Sequence, residues 1–316
     1  MTKLVNLFHL VLASTYSLAS AWTLTDTYNA SNWDHGMWVE TRVTNGEYVR
    51  YLSKDQALSS GLLRTQNNQI YMGVDTTRGL DWASGIGRDS VRLRTNKAFN
   101  AGTLVIGDFA HMPSNTCGIW PSFWMVGTEW PRDGEIDIME GVNQMSQNQI
   151  TIHTKPGCVP RVGDGGQSGT ITGFADCGGN NGDIGCGVFN TKQEGWGNGF
   201  NNAGGGLYAM LWTRDAIKVW SWTHGQAPRD AQVGGAVNPD AWGQPVANWA
   251  GCDFADFFRD LTIIINTSFC GAWAGAVWKD GSCKALANEC YQYVASNPQV
   301  YREAYWLINS IKVFAQ

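Results

Sequence analysis

The sequence predicts an all-β protein, an antiparallel β-sandwich of roughly a dozen strands. Short runs of alternating apolar and polar residues recur from one end of the chain to the other. Clusters of Gly, Asn and Asp separate these runs, as is typical of turns between antiparallel strands. The length of 316 residues does not by itself require two domains, because a β-sandwich can reach about 250 residues as one unit.

The predicted strands follow one another with few interruptions. Residues 90–95 alternate strictly, and residues 207–212 and 217–222 flank a short polar segment that predicts a hairpin. Two segments depart from the pattern. Residues 163–206 are rich in Gly and Asn and predict long loops at one rim, whereas residues 283–294 are the one good helix candidate. The remaining predicted strands are 103–112, 119–126, 134–142, 149–154, 261–266 and 306–314.

The composition excludes several classes of protein. The chain combines 38 Gly and 16 Trp with only 16 % charged residues, unlike disordered tails, coiled coils or collagen-like chains. Its formal net charge is −5 and it has no run of Lys or Arg, whereas a nucleic-acid-binding protein normally carries a basic stripe. A neutral, polar and aromatic surface instead suits an uncharged ligand.

The N-terminus has the pattern of a secretory signal peptide. Lys3 precedes an apolar stretch over residues 4–18, and small residues follow at 19–21. A membrane anchor would need about 20 uninterrupted apolar residues, but three hydroxyl residues interrupt this stretch. We therefore predict a signal peptide over 1–21, a single mature domain over 22–316, and a secreted protein, free or associated with the cell wall.

The eight cysteines of the mature chain indicate up to four disulfides, since an even count is typical of a secreted protein. The sequence does not choose among the 105 possible pairings, and the absence of a CxxC pair makes a zinc site a weak alternative. Asn29 and Asn266 each begin an Asn-x-Ser/Thr triplet and are candidates for N-glycosylation. The cysteines are Cys117, Cys158, Cys177, Cys186, Cys252, Cys270, Cys283 and Cys290.

Three acidic residues lie within one predicted strand, and they are the candidate catalytic groups. Glu135 and Asp137 share a face of a regular strand, but Glu140 has the opposite parity and would point into the core. A β-bulge near Ile138 and Met139 would turn Glu140 to the same face. The two glutamate carboxyl groups would then lie about 5 Å apart, the separation found in retaining glycosidases. A solvated and inert acidic strand is the alternative.

Aromatic residues surround this strand in the sequence. Trp120, Trp124 and Trp130 precede it, and Trp273 is one of several further candidates. Flat apolar rings match the C–H faces of sugars, although core packing explains most single Trp residues equally well. His153 lies in the following predicted strand, which could direct it toward Glu140. These residues favour a groove that binds a neutral polysaccharide.

Residues 134–143, GEIDIMEGVN, resemble the active-site strand of glycoside hydrolase family 16, in the bulged form with two residues between the Asp and the second Glu. The chain is similar in particular to the fungal laminarinase, or endo-1,3(4)-β-glucanase, branch of that family. The resemblance covers essentially the whole mature chain. It extends over residues 87–92, 111–113, 117–121, 151–154, 265–275 and 304–306.

The resemblance implies a β-jelly roll with a concave substrate cleft and endo-hydrolysis of β-1,3- or mixed β-1,3/1,4-glucan. It implies that Glu135 is the nucleophile, Asp137 its assisting carboxylate and Glu140 the acid/base. It places His153 beside the acid/base. It also implies sugar contacts from Trp120, Trp124 and Trp273. Family members that act on xyloglucan usually lack the extra residue of the bulge, which disfavours that activity here.

Two alternatives remain beside the endo-glucanase. A non-catalytic β-glucan-binding protein could use the same fold, but it would have no use for the three acids. A cell-wall transglycosylase would use the same covalent intermediate with a sugar acceptor. We predict no cofactor and no metal. Some family members hold a structural calcium, and nothing in this sequence marks such a site. We also predict a monomer with no nucleic-acid or membrane partner.

Overall fold

Two antiparallel sheets enclose the main hydrophobic core in the computed structural model, which describes residues 22–163, 165–173 and 176–316. The predicted signal peptide over 1–21 lies outside the described residues. The strands in chain order are β1 Trp22–Asn29, β2 Met37–Val39, β3 Val49–Tyr51, β4 Leu63–Gln66, β5 Gln69–Met72, β6 Arg88–Ser90, β7 Arg92–Thr95, β8 Thr103–His111, β9 Ile119–Val126, β10 Glu135–Glu140, β11 Gln149–His153, β12 Arg161–Val162, β13 Thr170–Ile171, β14 Cys186–Phe189, β15 Gly206–Trp212, β16 Ala216–Thr223, β17 Ala236–Val237, β18 Ala247–Ala250, β19 Thr262–Phe269 and β20 Trp306–Ala315.

The helices are short and connect the strands. A π-helical turn covers Gly271–Gly275, and a 3-10 turn covers Trp82–Ser84. Other 3-10 turns are Gln193–Gly195, Pro239–Ala241, Ser282–Ala285 and Pro298–Tyr301. The α-helices are α1 Trp33–Gly36, α2 Lys54–Ser59, α3 Gly197–Asn202, α4 Arg229–Val233, α5 Phe254–Phe257 and α6 Cys290–Ser296.

The first sheet has the order β12-β18-β16-β15-β8-β20-β1-β17, with β5 and β4 continuing from β20. Both of its faces are covered. In β15, Tyr208 and Met210 belong to the core between the sheets, whereas Leu207 and Ala209 belong to a separate cluster on the outer face. Residues between 227 and 242 cover that cluster. Among the described residues, the central strands of the first sheet therefore carry packed apolar side chains on both faces.

The second sheet has the order β13-β14-β11-β10-β9-β19-β7-β2 and places the acidic strand, β10, near its middle. Alternation along β9 buries Phe123 and Met125 in the core and directs Trp120 and Trp124 to the opposite face. That face is covered only in part, so it can hold a cleft. The antiparallel β-sandwich prediction is confirmed, but the described residues form 20 strands rather than roughly a dozen, several of them only two to four residues long.

Four disulfides join the described cysteines in pairs, which confirms the prediction from their even number. Cys117–Cys283 and Cys270–Cys290 lie in a buried cluster beside the turn over Gly271–Gly275. Cys177–Cys186 closes a short loop next to β11, and Cys158–Cys252 links two connecting segments.

Three predictions about local structure need correction. The helix predicted over 283–294 is divided into a 3-10 turn and α6, whose cysteines form disulfides with two different partners. The loops predicted over 163–206 include β14, because its residues pair with β11 in the second sheet. The strand predicted over 90–95 is interrupted at Val91, because β6 pairs in parallel with β3 while β7 joins the second sheet.

Candidate active site

A cleft of about 950 Å³ crosses the open face of the second sheet. Its floor runs across the strands rather than along them, because neighbouring strands contribute side chains side by side. These are Arg92 and Arg94 from β7, Trp120 and Trp124 from β9, Glu135, Asp137 and Glu140 from β10, and Gln149, Thr151 and His153 from β11. The structure thus brings the three predicted acids together in one cleft.

A β-bulge in β10 places all three acids on the cleft face. The pairing with β9 and β11 is regular through Asp137 and shifts between Asp137 and Glu140. Ile138 and Met139 are both fully buried in the core between the sheets. The extra residue absorbed there restores the parity of Glu140, as the sequence predicts.

Glu140 is held by two hydrogen-bond donors from β9. The indole Nε1 of Trp120 donates to Oε1 of Glu140 at 2.7 Å, and the hydroxyl of Ser122 donates to the same oxygen at 3.1 Å. Burial raises the pKa of Glu140 to about 7, although the Trp120 N–H favours the ionised form and the charge of Glu135 opposes it. A carboxyl group with such a pKa can both donate and accept a proton near neutral pH.

Asp137 lies between the other two acids and is almost fully buried. Burial raises the pKa of Asp137 well above its ordinary value, and the charges of Glu135 and Glu140 raise it further. Its Oδ2 lies 3.3 Å from Nε2 of His153. Among the described residues its Oδ1 is buried and has no hydrogen-bond partner.

His153 contacts Asp137, not Glu140, and the sequence prediction about its partner is wrong. In the ladder His153 stands opposite Glu135, whereas Gln149 stands opposite Glu140. Burial alone would lower the pKa of His153, but the hydrogen bond to Asp137 and the nearby negative charges raise it to about 10. The histidine therefore carries a positive charge that balances the acids.

The second nitrogen of His153 is held by the loop that the Cys177–Cys186 disulfide closes. Its Nδ1 donates to the carbonyl oxygen of Gly182 at 2.6 Å. Gly182 has a φ of +94°, and a Cβ atom there would meet Cβ of Pro131 at 2.5 Å. Only glycine can bring this carbonyl to the imidazole, which fixes the orientation of the ring toward Asp137.

The four predicted tryptophans all line the cleft. Trp120 and Trp124 are half-buried on its floor, and Trp273 packs edge-on against Trp120 with ring centroids 6.1 Å apart. Trp130 lies at the Glu135 end and is 42 % exposed. A sugar chain in this cleft would therefore meet aromatic rings on both sides of the acids.

Asn266 is not a site for a glycan in this fold, and that prediction is wrong. Its side chain is buried on β19, where Oδ1 accepts from Nε1 of Trp124 at 2.8 Å and Nδ2 donates to the Tyr51 hydroxyl at 3.0 Å. It instead fixes the indole of Trp124. Asn29 lies at the partly exposed end of β1, and its glycosylation stays a prediction.

Two arginines of β7 line the cleft although the sequence did not indicate them as site residues. Arg92 lies 5.0 Å from the Trp124 ring, and its Nε is 2.8 Å from Oε2 of buried Glu40. Arg94 binds the same carboxylate at 3.0 Å. The alternation of residues 90–95 shows which side chains of β7 share a face, but it does not indicate which of the two faces lines the cleft. That information comes only from the pairing of β7 with β19.

Within the part of the chain that the structure describes, no group of three or more His, Cys, Asp or Glu side chains is arranged to hold a metal ion. No described helix has the length and apolar character needed to cross a membrane.

Comparison with known families identifies the chain. The model for the XgeA-like catalytic domain of glycoside hydrolase family 16 matches residues 37–314. The chain belongs to glycoside hydrolase family 16. As a family 16 catalytic domain, it carries the Glu-Ile-Asp-Ile-Met-Glu strand within the matched region.

Curated fungal proteins resemble this family 16 domain over most of its length. A probable endo-1,3(4)-β-glucanase of Neosartorya fischeri is 42 % identical over 311 residues, which cover 96 % of this chain and 46 % of that protein. An endo-1,3(4)-β-glucanase of Arthroderma benhamiae is 40 % identical over 97 % of this chain and 68 % of its own length. The chain spans about half the length of most curated relatives reported for it.

Solved family 16 structures share the fold of the domain. An elongating β-1,3-glucosyltransferase is 36 % identical, with a TM-score of 0.86 over 93 % of this chain and 100 % of its own. Laminarinase 16A from Phanerochaete chrysosporium, solved with 6-O-glucosyl-laminaritriose in its donor and acceptor sites, is 33 % identical. Its TM-score is 0.85 over 93 % of this chain and 100 % of its own. Two relatives with nearly the same fold thus differ in whether they are described as a transferase or a laminarinase.

Proposed function

We propose that this protein is a secreted, retaining endo-β-glucanase that hydrolyses β-1,3-glucan, mixed β-1,3/1,4-glucan or both by double displacement. The observation that carries the proposal is the bulged strand β10, which presents Glu135, Asp137 and Glu140 together in a tryptophan-lined cleft. The names of the curated fungal relatives support the substrate class. The four disulfides support an oxidising, extracellular environment.

In the proposed first step, the Glu135 carboxylate attacks the anomeric carbon while Glu140 donates its proton to the leaving glycosidic oxygen. The C–O bond to the leaving sugar breaks, and an ester bond to Glu135 forms with inverted configuration. The hydrogen bonds from Trp120 and Ser122 orient Glu140 and stabilise the anion that it becomes. Asp137, held by His153, assists the nucleophile beside it.

In the second step, Glu140 takes a proton from water, which attacks the same carbon and releases Glu135. Two inversions restore the β configuration. No metal or cofactor is needed for either step. We further propose that the protein acts as a monomer and that its partner is a neutral glucan chain, with no membrane or nucleic acid involved.

The products released from laminarin, lichenan and xyloglucan by the purified protein test this function. An endo-glucanase should release a range of short oligosaccharides from laminarin or lichenan and leave xyloglucan intact. Release of only glucose, or cleavage of xyloglucan alone, would contradict the proposal. Binding to laminarin with no cleavage would favour a non-catalytic glucan-binding protein.

A transglycosylase is the second candidate, because the glucosyltransferase of similar fold is 36 % identical. Both activities share the glucosyl-enzyme intermediate and differ in whether water or a sugar hydroxyl opens it. Products longer than the supplied oligosaccharide, formed faster than reducing ends accumulate, would identify transfer as the main reaction. Equal rates of donor cleavage and reducing-end formation would identify hydrolysis.

The pKa of Glu140 predicts the alkaline limb of the pH profile. Since the protonated form is the acid and the pKa of Glu140 is about 7, kcat/KM on laminarin should fall about tenfold per pH unit above that value. Ser122→Ala removes a hydrogen bond that favours ionised Glu140, so the limb should move to higher pH. A limb that stays in place or moves to lower pH in this variant would contradict the assignment.

A further inference from the structure

Trp38, on the edge strand β2, lies in the same row of side chains as the catalytic acids. Asp137 pairs with Trp124, Trp124 with Ile264, Ile264 with Arg94, and Arg94 with Trp38. Directly opposed residues point to the same face of a sheet, and Trp124 and Arg94 both line the cleft. Trp38 therefore points to the cleft side, one strand beyond Arg94 and about 19 Å from Asp137 by strand spacing.

The side chain of Trp38 is 44 % exposed, whereas Met37 and Val39 on either side are buried in the core. The alternation of β2 thus leaves one large ring on the open face at the sheet edge. An indole exposed to water is unfavourable, and the more polar side chains of Tyr, Thr or Ser would be less unfavourable at this position. The ring offers a flat apolar surface where the floor of the cleft ends.

Arg94 forms an ordered polar connection between the cleft and Trp38. Its Nη1 lies 3.0 Å from Oε1 of Glu40, and its Nε donates to the Thr262 hydroxyl at 2.8 Å. The guanidinium has five N–H groups, so it keeps donors for the hydroxyl groups of a sugar. A chain that leaves the acids along this row would pass over fixed donors and then reach the indole.

We propose that Trp38 is a distal binding platform, on which a glucose residue of a long glucan chain stacks outside the cleft proper. This inference rests on the proposed function, since it extends the same groove for the same neutral polymer. The platform lies too far from Asp137 for a disaccharide bound at the acids to reach it. Trp38 accordingly selects for polymer length and takes no part in the bond cleavage.

The test compares Trp38→Ala with Trp82→Ala, a matched control on a 3-10 turn. Trp82 is 45 % exposed and packs against Tyr291, away from the row. Trp38→Ala should lower kcat/KM on laminarin about threefold to tenfold through KM and leave an aryl β-laminaribioside unchanged. Trp38→Phe should recover most of the loss, and Trp82→Ala should change neither substrate.

Binding measurements separate this inference from the proposed function. The Trp38 and Trp82 variants are made again in a Glu135→Gln background, and the Kd of each is measured for laminariheptaose and for laminaribiose. Weaker binding of the heptaose alone would support the platform even if no hydrolysis occurs. Equal losses on long and short ligands, or no loss on either, would overturn it. A change of oligomeric state without a length-dependent effect would assign Trp38 to a protein interface and overturn it as well.

Discussion

Glu135→Gln should reduce kcat on laminarin by about 10⁴-fold or more, because the amide cannot form the glucosyl ester on which double displacement depends. The change keeps the size of the side chain, and its neighbours on β10 keep their hydrogen bonds. Binding of laminarin should therefore remain close to that of the unmodified protein. Initial rates and the Kd for laminari-oligosaccharides, measured on the same preparation, check both parts.

Glu194→Gln is the matched control, since Glu194 lies in the turn Gln193–Gly195, outside the cleft. It should retain full activity. If Glu135→Gln kept more than about a tenth of the rate, Glu135 would not be the nucleophile, because removal of a catalytic nucleophile lowers kcat by far more than about tenfold. Loss of binding together with turnover would instead indicate a damaged cleft.

Glu140→Ala should slow hydrolysis of laminarin by about 10²- to 10⁴-fold, the usual contribution of a positioned general acid. Formation of the intermediate from a dinitrophenyl β-laminaribioside should be nearly unaffected, because that leaving group needs no proton. Opening of the intermediate still requires Glu140 as base, so a burst of released phenol should precede a slow steady state.

Added azide should accelerate that steady state, since azide attacks without a general base, and the product should be a β-glycosyl azide. Ser122→Ala, which removes one donor to Glu140 but keeps the acid, should show neither burst nor rescue. If the rate of the burst on the activated glycoside fell as far as the rate on laminarin, Glu140 would not be the acid/base.

Local patterns in the sequence predicted the parts of the site that lie on regular strands. Strand β9 covers Ile119–Val126, the predicted segment. The bulge followed from the parity of Glu140 relative to Glu135 and from the cost of burying an unpaired charge. Both inferences use only neighbours in the chain, for which the period of two residues in a strand is sufficient.

Features that depend on contacts between distant segments were not predictable in the same way. The partner of His153 depends on the register of β11 against the bulged strand, which shifts Gln149, not His153, opposite Glu140. The role of Asn266 depends on Trp124 and Tyr51, which are remote in sequence. The triplet around Asn266 indicated a glycan because a local motif carries no information about burial.

The disulfides show the same difference between what the sequence predicts and what depends on the fold. An even number of cysteines predicts that all of them pair, but the partners follow from the fold, since sequence separations range from 9 to 166 residues. Two of these bonds also divide the helix predicted over 283–294, because Cys283 and Cys290 are bound to different segments. Helical periodicity alone contains no sign of this constraint.

The anomeric configuration of the first product tests the central claim most directly. If Glu135 attacks the sugar and Glu140 then activates water, two inversions occur and the new reducing end is β. Proton NMR of laminarin during the first minutes of cleavage should show the β-anomer first, with the α-anomer growing only at the rate of mutarotation. An α-anomer as the first product would contradict the nucleophilic role of Glu135, the close spacing of the two carboxyl groups and the retaining mechanism together.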